Sequence, residues 1–179
     1  MPYSAASEGR GADSPPASRA GVQATPAAHK IPESVLVIIH TARLDVLLLR
    51  RTALHEGQDF WQCVTGSKDW QEESWSETAA REVAEETGID AAAPGCRLSD
   101  WGLENTYVIY PEWQHRYAPG VWHNTERVFG LQVPADTPVA LNPREHTAYA
   151  WLNWHEAADR CQSSSNAEAI LWLPRFVLP

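Results

Sequence analysis

Between Gly66 and Gly88 the chain places three glutamates, Glu82, Glu85 and Glu86, at a spacing that a helix gathers onto one side. At about 100° per residue they fall at relative angles of roughly 0°, −60° and +40°. Ser76, Ala80, Val83, Ala84 and Thr87 fall on the opposite side, all small or apolar, and suit packing on a sheet. The pattern predicts an amphipathic helix over 74–87 whose exposed stripe is concentrated acid. Gly88 closes it, since glycine enters the left-handed conformation of a helix C-terminal cap without steric cost.

Like charges three and four residues apart repel and destabilise a helix. A chain that keeps them together calls for a cation, and an all-oxygen donor set points to Mg²⁺ or Mn²⁺ rather than zinc. Arg81 stands four residues from both Glu77 and Glu85 and can brace one of them. A bare Glu-x-x-Glu-Glu is most often only a solvated acidic face. The context changes that reading: an apolar strand ends at Gly66, a short loop follows, and the acidic helix comes next. Glycine at that point lets backbone approach a metal or a phosphate closely.

The surrounding pattern predicts a sheet. Ser34–Ile39 and Asp45–Arg50 are short apolar, β-branched runs that pair as a hairpin through His40–Leu44. Residues 52–59 are a polar loop, and Phe60–Thr65 is a strand. Further strands are expected at Leu98–Tyr110 and Thr125–Val133, separated by a polar, aromatic loop. Asn142–Glu145 leads into a last strand, Tyr149–Leu152, and a terminal helix covers Asn166–Leu173. Strands around one central and one terminal helix indicate an α/β fold, a sandwich with a mixed sheet. Residues 1–30 are mostly Ala, Ser, Pro and Gly, too poor in large apolar groups to offset ordering entropy, and are expected to be a disordered tail before a domain spanning 31–179.

Composition excludes some functions. Lys plus Arg number 14 against 23 Asp plus Glu, a net charge of −9, which argues against a nucleic-acid surface. A small phosphorylated substrate remains compatible if a metal supplies positive charge. Cys63, Cys96 and Cys161 are odd in number, widely spaced and form no Cys-x-x-Cys, so neither a disulfide framework nor structural zinc is expected, and a reducing cytoplasm fits. No run of about 18 apolar residues would span a membrane, and no apolar signal-peptide core begins the chain.

The segment Gly66-Ser-Lys-Asp-Trp-Gln-Glu-Glu73-Ser-Trp-Ser-Glu-Thr-Ala-Ala-Arg81-Glu82-Val-Ala-Glu85-Glu86-Thr-Gly88-Ile89 resembles the Nudix hydrolase family. Arg81 to Ile89 follow that family's signature without fault, and seven residues separate Glu73 from Arg81 as it requires. The departure is the gap from Gly66 to Glu73, six residues where the family has five, which places an insertion in the loop. The resemblance implies an α/β/α sandwich in which Glu82, Glu85 and Glu86 bind divalent metal with the carbonyl of Gly66. Glu73 and Arg81 would orient that cluster, and a carboxylate such as Glu85 would complete the catalytic set. It implies hydrolysis of a phosphoanhydride bond, with metal neutralising phosphate oxygens and activating water.

Three further passages resemble the branch of that family that acts on a pterin triphosphate: Phe60–Ser67, His115–Val121 with Asn124-Thr-Glu126, and Glu145–Trp151 with Ser163–Ile170. They imply removal of pyrophosphate from 7,8-dihydroneopterin triphosphate. In similar enzymes a glutamate at the place of Glu145 is a metal ligand or the general base. Arg116 is a candidate for a phosphate and Tyr117 for the ring. Arg50 and Arg51 face opposite ways on a strand, so one of them, taken as Arg51, reaches the site. Trp61 and Trp151 are expected to pack, and His40, His123, His146 and His155 lack ligand spacing and receive no role. Two other readings stay open: hydrolysis of nucleoside triphosphates or RNA 5′ ends, and a non-catalytic Nudix domain that binds a ligand.

Overall fold

The computed structural model describes residues 29–52 and 59–177. The expected N-terminal tail and the 52–59 loop lie almost wholly outside the described residues.

The strands are β1 (Glu33–His40), β2 (Asp45–Arg51), β3 (Trp61–Gln62), β4 (Val64–Ser67), β5 (Arg97–Val108), β6 (His123–Gln132) and β7 (His146–Asn153). The helices are α1 (Trp75–Thr87), α2 (Trp154–Arg160) and α3 (Ser164–Val177), and Pro111–Arg116 is a 3-10 turn in the β5–β6 connection. The sheet is mixed. β1 runs parallel to β6 along its whole length, from Glu33 opposite Thr125 to His40 opposite Gln132. The other edge of β1 is shared. Ser34–Val37 pair with β4, and only His40 pairs with β2, opposite Val46. The expected β1–β2 hairpin is therefore joined at its turn and then splays, and β4 fills the opening.

Alternation along the strands makes two apolar layers. Val35, Val37, Ile39, Leu47, Leu49, Phe129 and Leu131 meet Ala79 and Val83 of α1. Leu36, Ile38, Val46, Leu48 and Val128 face the other way, onto Ala157 and Ala158 of α2 and Ala169, Ile170 and Leu173 of α3. The fold is an α/β/α sandwich. Trp61 packs in the second layer and Trp151 borders the first, as expected.

Three local features differ from the sequence expectation. Phe60–Thr65 is not one strand: the chain pairs with β2 at Trp61–Gln62, breaks at Cys63, and resumes against β1. At the break the Cys63 N–H donates to Asn166 Oδ1 at 2.8 Å, a partner 103 residues away. Helix α2 was not anticipated, being only seven residues long and rich in alanine. The α1 face is rotated from the expected one. Thr78, Ala79, Val83, Glu86 and Thr87 are buried, while Ser76 and Ala84 are exposed.

Candidate active site

The termini of α1 are fixed by its own residues. Ser74 and Glu77 form a reciprocal capping box, with Glu77 N–H donating to Ser74 Oγ at 3.2 Å and Ser74 N–H to Glu77 Oε2 at 2.8 Å. Gly88 caps the other end at φ 68°. Because the helix is rotated, its acids differ in environment. Glu86 is 2% exposed, the Glu82 side chain 13%, and the Glu85 side chain 52%. The acidic stripe is thus half interior.

Glu82 lies flat on the backbone of Gly66: a Cβ there would stand 1.8 Å from Glu82 Cδ. This contact explains glycine at position 66 by close approach, not by unusual backbone angles. Arg81 holds the assembly together. Its Nε donates to Glu73 Oε1 at 2.8 Å, its Nη1 to Glu82 Oε1 at 2.9 Å and Glu85 Oε2 at 3.3 Å, and its Nη2 to Ser67 O at 2.8 Å. Glu73 also accepts the Asp69 N–H at 2.8 Å. Glu73, 2% exposed, is the buried member of the Glu72–Glu73 pair, and its N–H meets Trp70 O at 3.1 Å in the turn before α1.

The carboxyls respond to these surroundings. Burial pushes Glu82 up to about 7, against the opposing pull of Arg81, and neighbouring Glu86 and Glu85 add to the rise. Burial also raises Glu86, while His146 draws it down. Burial works against the ionised form of Glu73 too, but the bonds from Arg81 and Asp69 outweigh it and hold that carboxyl below its usual range.

Glu145 and His146 reach the site from the start of β7. His146 is buried, and its Nε2 lies 2.8 Å from Glu86 Oε2. Glu86, Glu145 and His146 offer ligand atoms all within 4.8 Å of one another. Glu145 accepts from Asn142 Nδ2 at 2.9 Å and is exposed on its other side. His146, to which sequence reasoning gave no role, therefore contacts the acid cluster directly. Its bond to Glu86 is the kind that orients a ligating carboxylate. Only its position after Glu145 could have marked it. Crowded, partly buried carboxylates with raised affinity for protons form an oxygen-rich donor set that a hard divalent cation fits.

Cations ring the mouth. The Lys30 N–H donates to Arg116 O at 2.8 Å. The Lys30 ammonium is lowered first by burial and then by Arg116, while Glu82 raises it, and Arg51 and Glu145 also act on it. Lys30 therefore lies in the field of Glu82 and Glu145, with Arg51 and Arg116 close enough to act on it. Lys30 was missed because it borders the low-complexity tail. Arg50 instead pairs outward with Asp59 at 2.8 Å. Tyr117 is half-buried after the 3-10 turn, its hydroxyl raised by burial.

Residues 30–173 match the NUDIX domain, and the chain belongs to the Nudix family. Dihydroneopterin triphosphate diphosphatase of Escherichia coli (strain K12) is 40% identical over 143 residues, 79% of this chain and 91% of that protein. The protein of the same name from Haemophilus influenzae is 34% identical over 143 residues, 79% of this chain and 87% of that one. The solved structure of the E. coli dihydroneopterin triphosphate pyrophosphohydrolase superposes with a TM-score of 0.70 at 38% identity, covering 85% of this chain and 99% of that one. No helix among the described residues is long and apolar enough to cross a membrane.

Proposed function

We propose that the chain is a Mg²⁺-dependent pyrophosphohydrolase that converts 7,8-dihydroneopterin triphosphate to the monophosphate and pyrophosphate, a step of folate biosynthesis in the cytoplasm. The observation that carries the chemistry is the carboxylate cluster at Gly66, with Glu82 pressed on the glycine backbone and Glu86 tied to His146. The substrate rests on the identity to enzymes named for it.

Glu82, Glu85, Glu86 and the Gly66 carbonyl would hold the metal. When bound, the metal would neutralise phosphate oxygens and lower the pKa of a coordinated water. Arg81 and Glu73 keep the cluster in place. Glu145, exposed toward the mouth, would ligate or accept the water's proton, with Glu85 the second solvent-facing carboxylate of the catalytic set. Lys30, Arg51 and Arg116 would bind the triphosphate, where cations can compensate its charge without displacing the metal. Tyr117 would flank the ring.

The test is pyrophosphate release from 7,8-dihydroneopterin triphosphate beside a panel of nucleoside triphosphates, with Mg²⁺, with Mn²⁺ and with chelator. Preferred, metal-dependent turnover of the pterin is expected. Preference for a nucleotide would overturn the substrate and keep the chemistry, and no turnover at all would leave a ligand-binding domain.

A further inference from the structure

On the sheet face opposite α1, the ends of β1, β5 and β6 carry a polar set that the hydrolytic cluster does not use. Asn124 is 1% exposed and Glu126 4%. Asn124 Nδ2 donates to Ser34 Oγ at 2.6 Å and to Tyr107 Oη at 3.0 Å, while its Oδ1 is buried with no partner among the described residues. Glu126 takes a bond from Asn105 Nδ2 at 3.3 Å and one from the Ser165 hydroxyl. An ionised carboxylate has about four acceptor positions, so Glu126 is also underused. Burial without full pairing is costly, and the orphaned Asn124 oxygen, beside a buried carboxylate with spare acceptor positions, calls for donors from outside the protein.

Their placement suits one end of the proposed substrate. Residues 124 and 126 are two apart on β6 and so share a face, about 7 Å apart along the strand. Ser34 pairs with Ser67 on one side and with Glu126 on the other. Glu126 is therefore two strand spacings, about 10 Å, from the backbone next to Gly66. The acid cluster lies on the α1 face and Glu126 on the other, but both stand near the end of the sheet where β4 finishes and β1 and β6 begin, so a three-carbon side chain and its first phosphate would pass around that end. Tyr107, bonded to Asn124 and 41% exposed, stands on the solvent side. Asn124 and Glu126 are closed off behind it, so a ring would have to displace Tyr107 to meet both acceptors.

We infer that Glu126 and Asn124 read the pterin ring: the Glu126 carboxylate accepts from ring N3–H and the 2-amino group together, and Asn124 Oδ1 accepts a further ring N–H. This rests on the pterin substrate proposed above. Adjacent N–H donors on one edge, which guanine shares and adenine and uracil lack, match a single carboxylate. The set thus selects a 2-amino-4-oxo ring while the acid cluster acts on the phosphates.

Binding of 7,8-dihydroneopterin, which lacks phosphate, isolates the ring contacts from the metal cluster. Quenching of tryptophan fluorescence would report it, beside the counterpart carrying 2-oxo in place of 2-amino. Wild type is expected to bind the 2-amino ring at least tenfold more tightly, since a site built for N–H donors rejects a ligand lacking them. Glu126→Gln, whose amide turns one acceptor into a donor, should lose that preference and raise KM for the triphosphate at least tenfold with a much smaller change in kcat. Equal wild-type affinity for both rings, or no binding of either, overturns the inference, as does a Glu126→Gln enzyme with unchanged KM. Should that variant fail to fold, the ligand exchange on wild type decides alone. Absence of wild-type turnover of the pterin triphosphate would instead strike the substrate reading itself.

Discussion

Replacing Gly66 with alanine separates the stability of the fold from the geometry of the site. The added Cβ would stand 1.8, 2.0 and 2.2 Å from Glu82 Cδ, Oε1 and Oε2. Ordinary contact begins at 3.4 Å, so the carboxylate must retreat by 3.4 − 1.8, or about 1.6 Å. The three nearest atoms all belong to Glu82, and Gly66 does not occupy the positive-φ region. The atoms that must move end a flexible side chain, so the protein can yield there. Alanine also restricts the unfolded chain, a gain of about 0.4–1 kcal/mol where the backbone is compatible. Thermal stability should therefore change little, by about 1 kcal/mol or less in either direction. The site has no such tolerance. Displacement strains the 2.9 Å bond between Arg81 and Glu82 and moves a proposed metal ligand by more than an ångström, a scale that costs on the order of 100-fold in rate. Calorimetric titration with Mg²⁺ and pyrophosphate release would be measured beside the melting curve. A Gly66→Ala protein that keeps wild-type metal affinity and turnover would refute the reasoning, as would one that fails to fold.

Glu145→Gln should fold normally and lose most turnover, on the order of 100-fold, because Glu145 is exposed beside the cluster; near-wild-type rates in the same assay would remove it from the mechanism. Arg81→Ala leaves Glu73 buried without its guanidinium partner and should cost about 3–5 kcal/mol in urea unfolding, whereas Glu77→Gln at an exposed site should leave the unfolding midpoint nearly unchanged. For pH, Glu82 is held up to about 7 in the fold, above its value in an unfolded chain. Its proton is therefore retained by the native state while the unfolded chain ionises. Metal-free stability should fall between about pH 4.5 and pH 7, by about 3 kcal/mol from this group, and then level off. Mg²⁺, which needs the ionised carboxylate, should raise the melting temperature more at pH 8 than at pH 6. A metal-induced shift that does not change with pH would contradict the burial of Glu82.

Much of the fold was legible because its signals are local. The apolar runs of β1 and β2, the capping residue Gly88, and the spacing of Arg81, Glu82, Glu85 and Glu86 all act within a few residues of themselves, and each appears where the sequence predicts. That local chemistry also predicts an acidic helix following a glycine-bearing strand, and hence a candidate place for a divalent cation. What only the folded chain decided depends on distant partners. The break of the 60–65 segment at Cys63 is set by Asn166, far along the chain. The rotation of α1 is set by which residues the sheet accepts, so that Glu86 is interior and Glu85 is not. His146 gained its place beside Glu86 through the pairing of β7 with β2, and Asn124 and Glu126 meet Ser34 and Tyr107 across three strands. Periodicity reports which residues share a face. It does not report what that face will meet, because burial and pairing are properties of surfaces brought together by the whole fold.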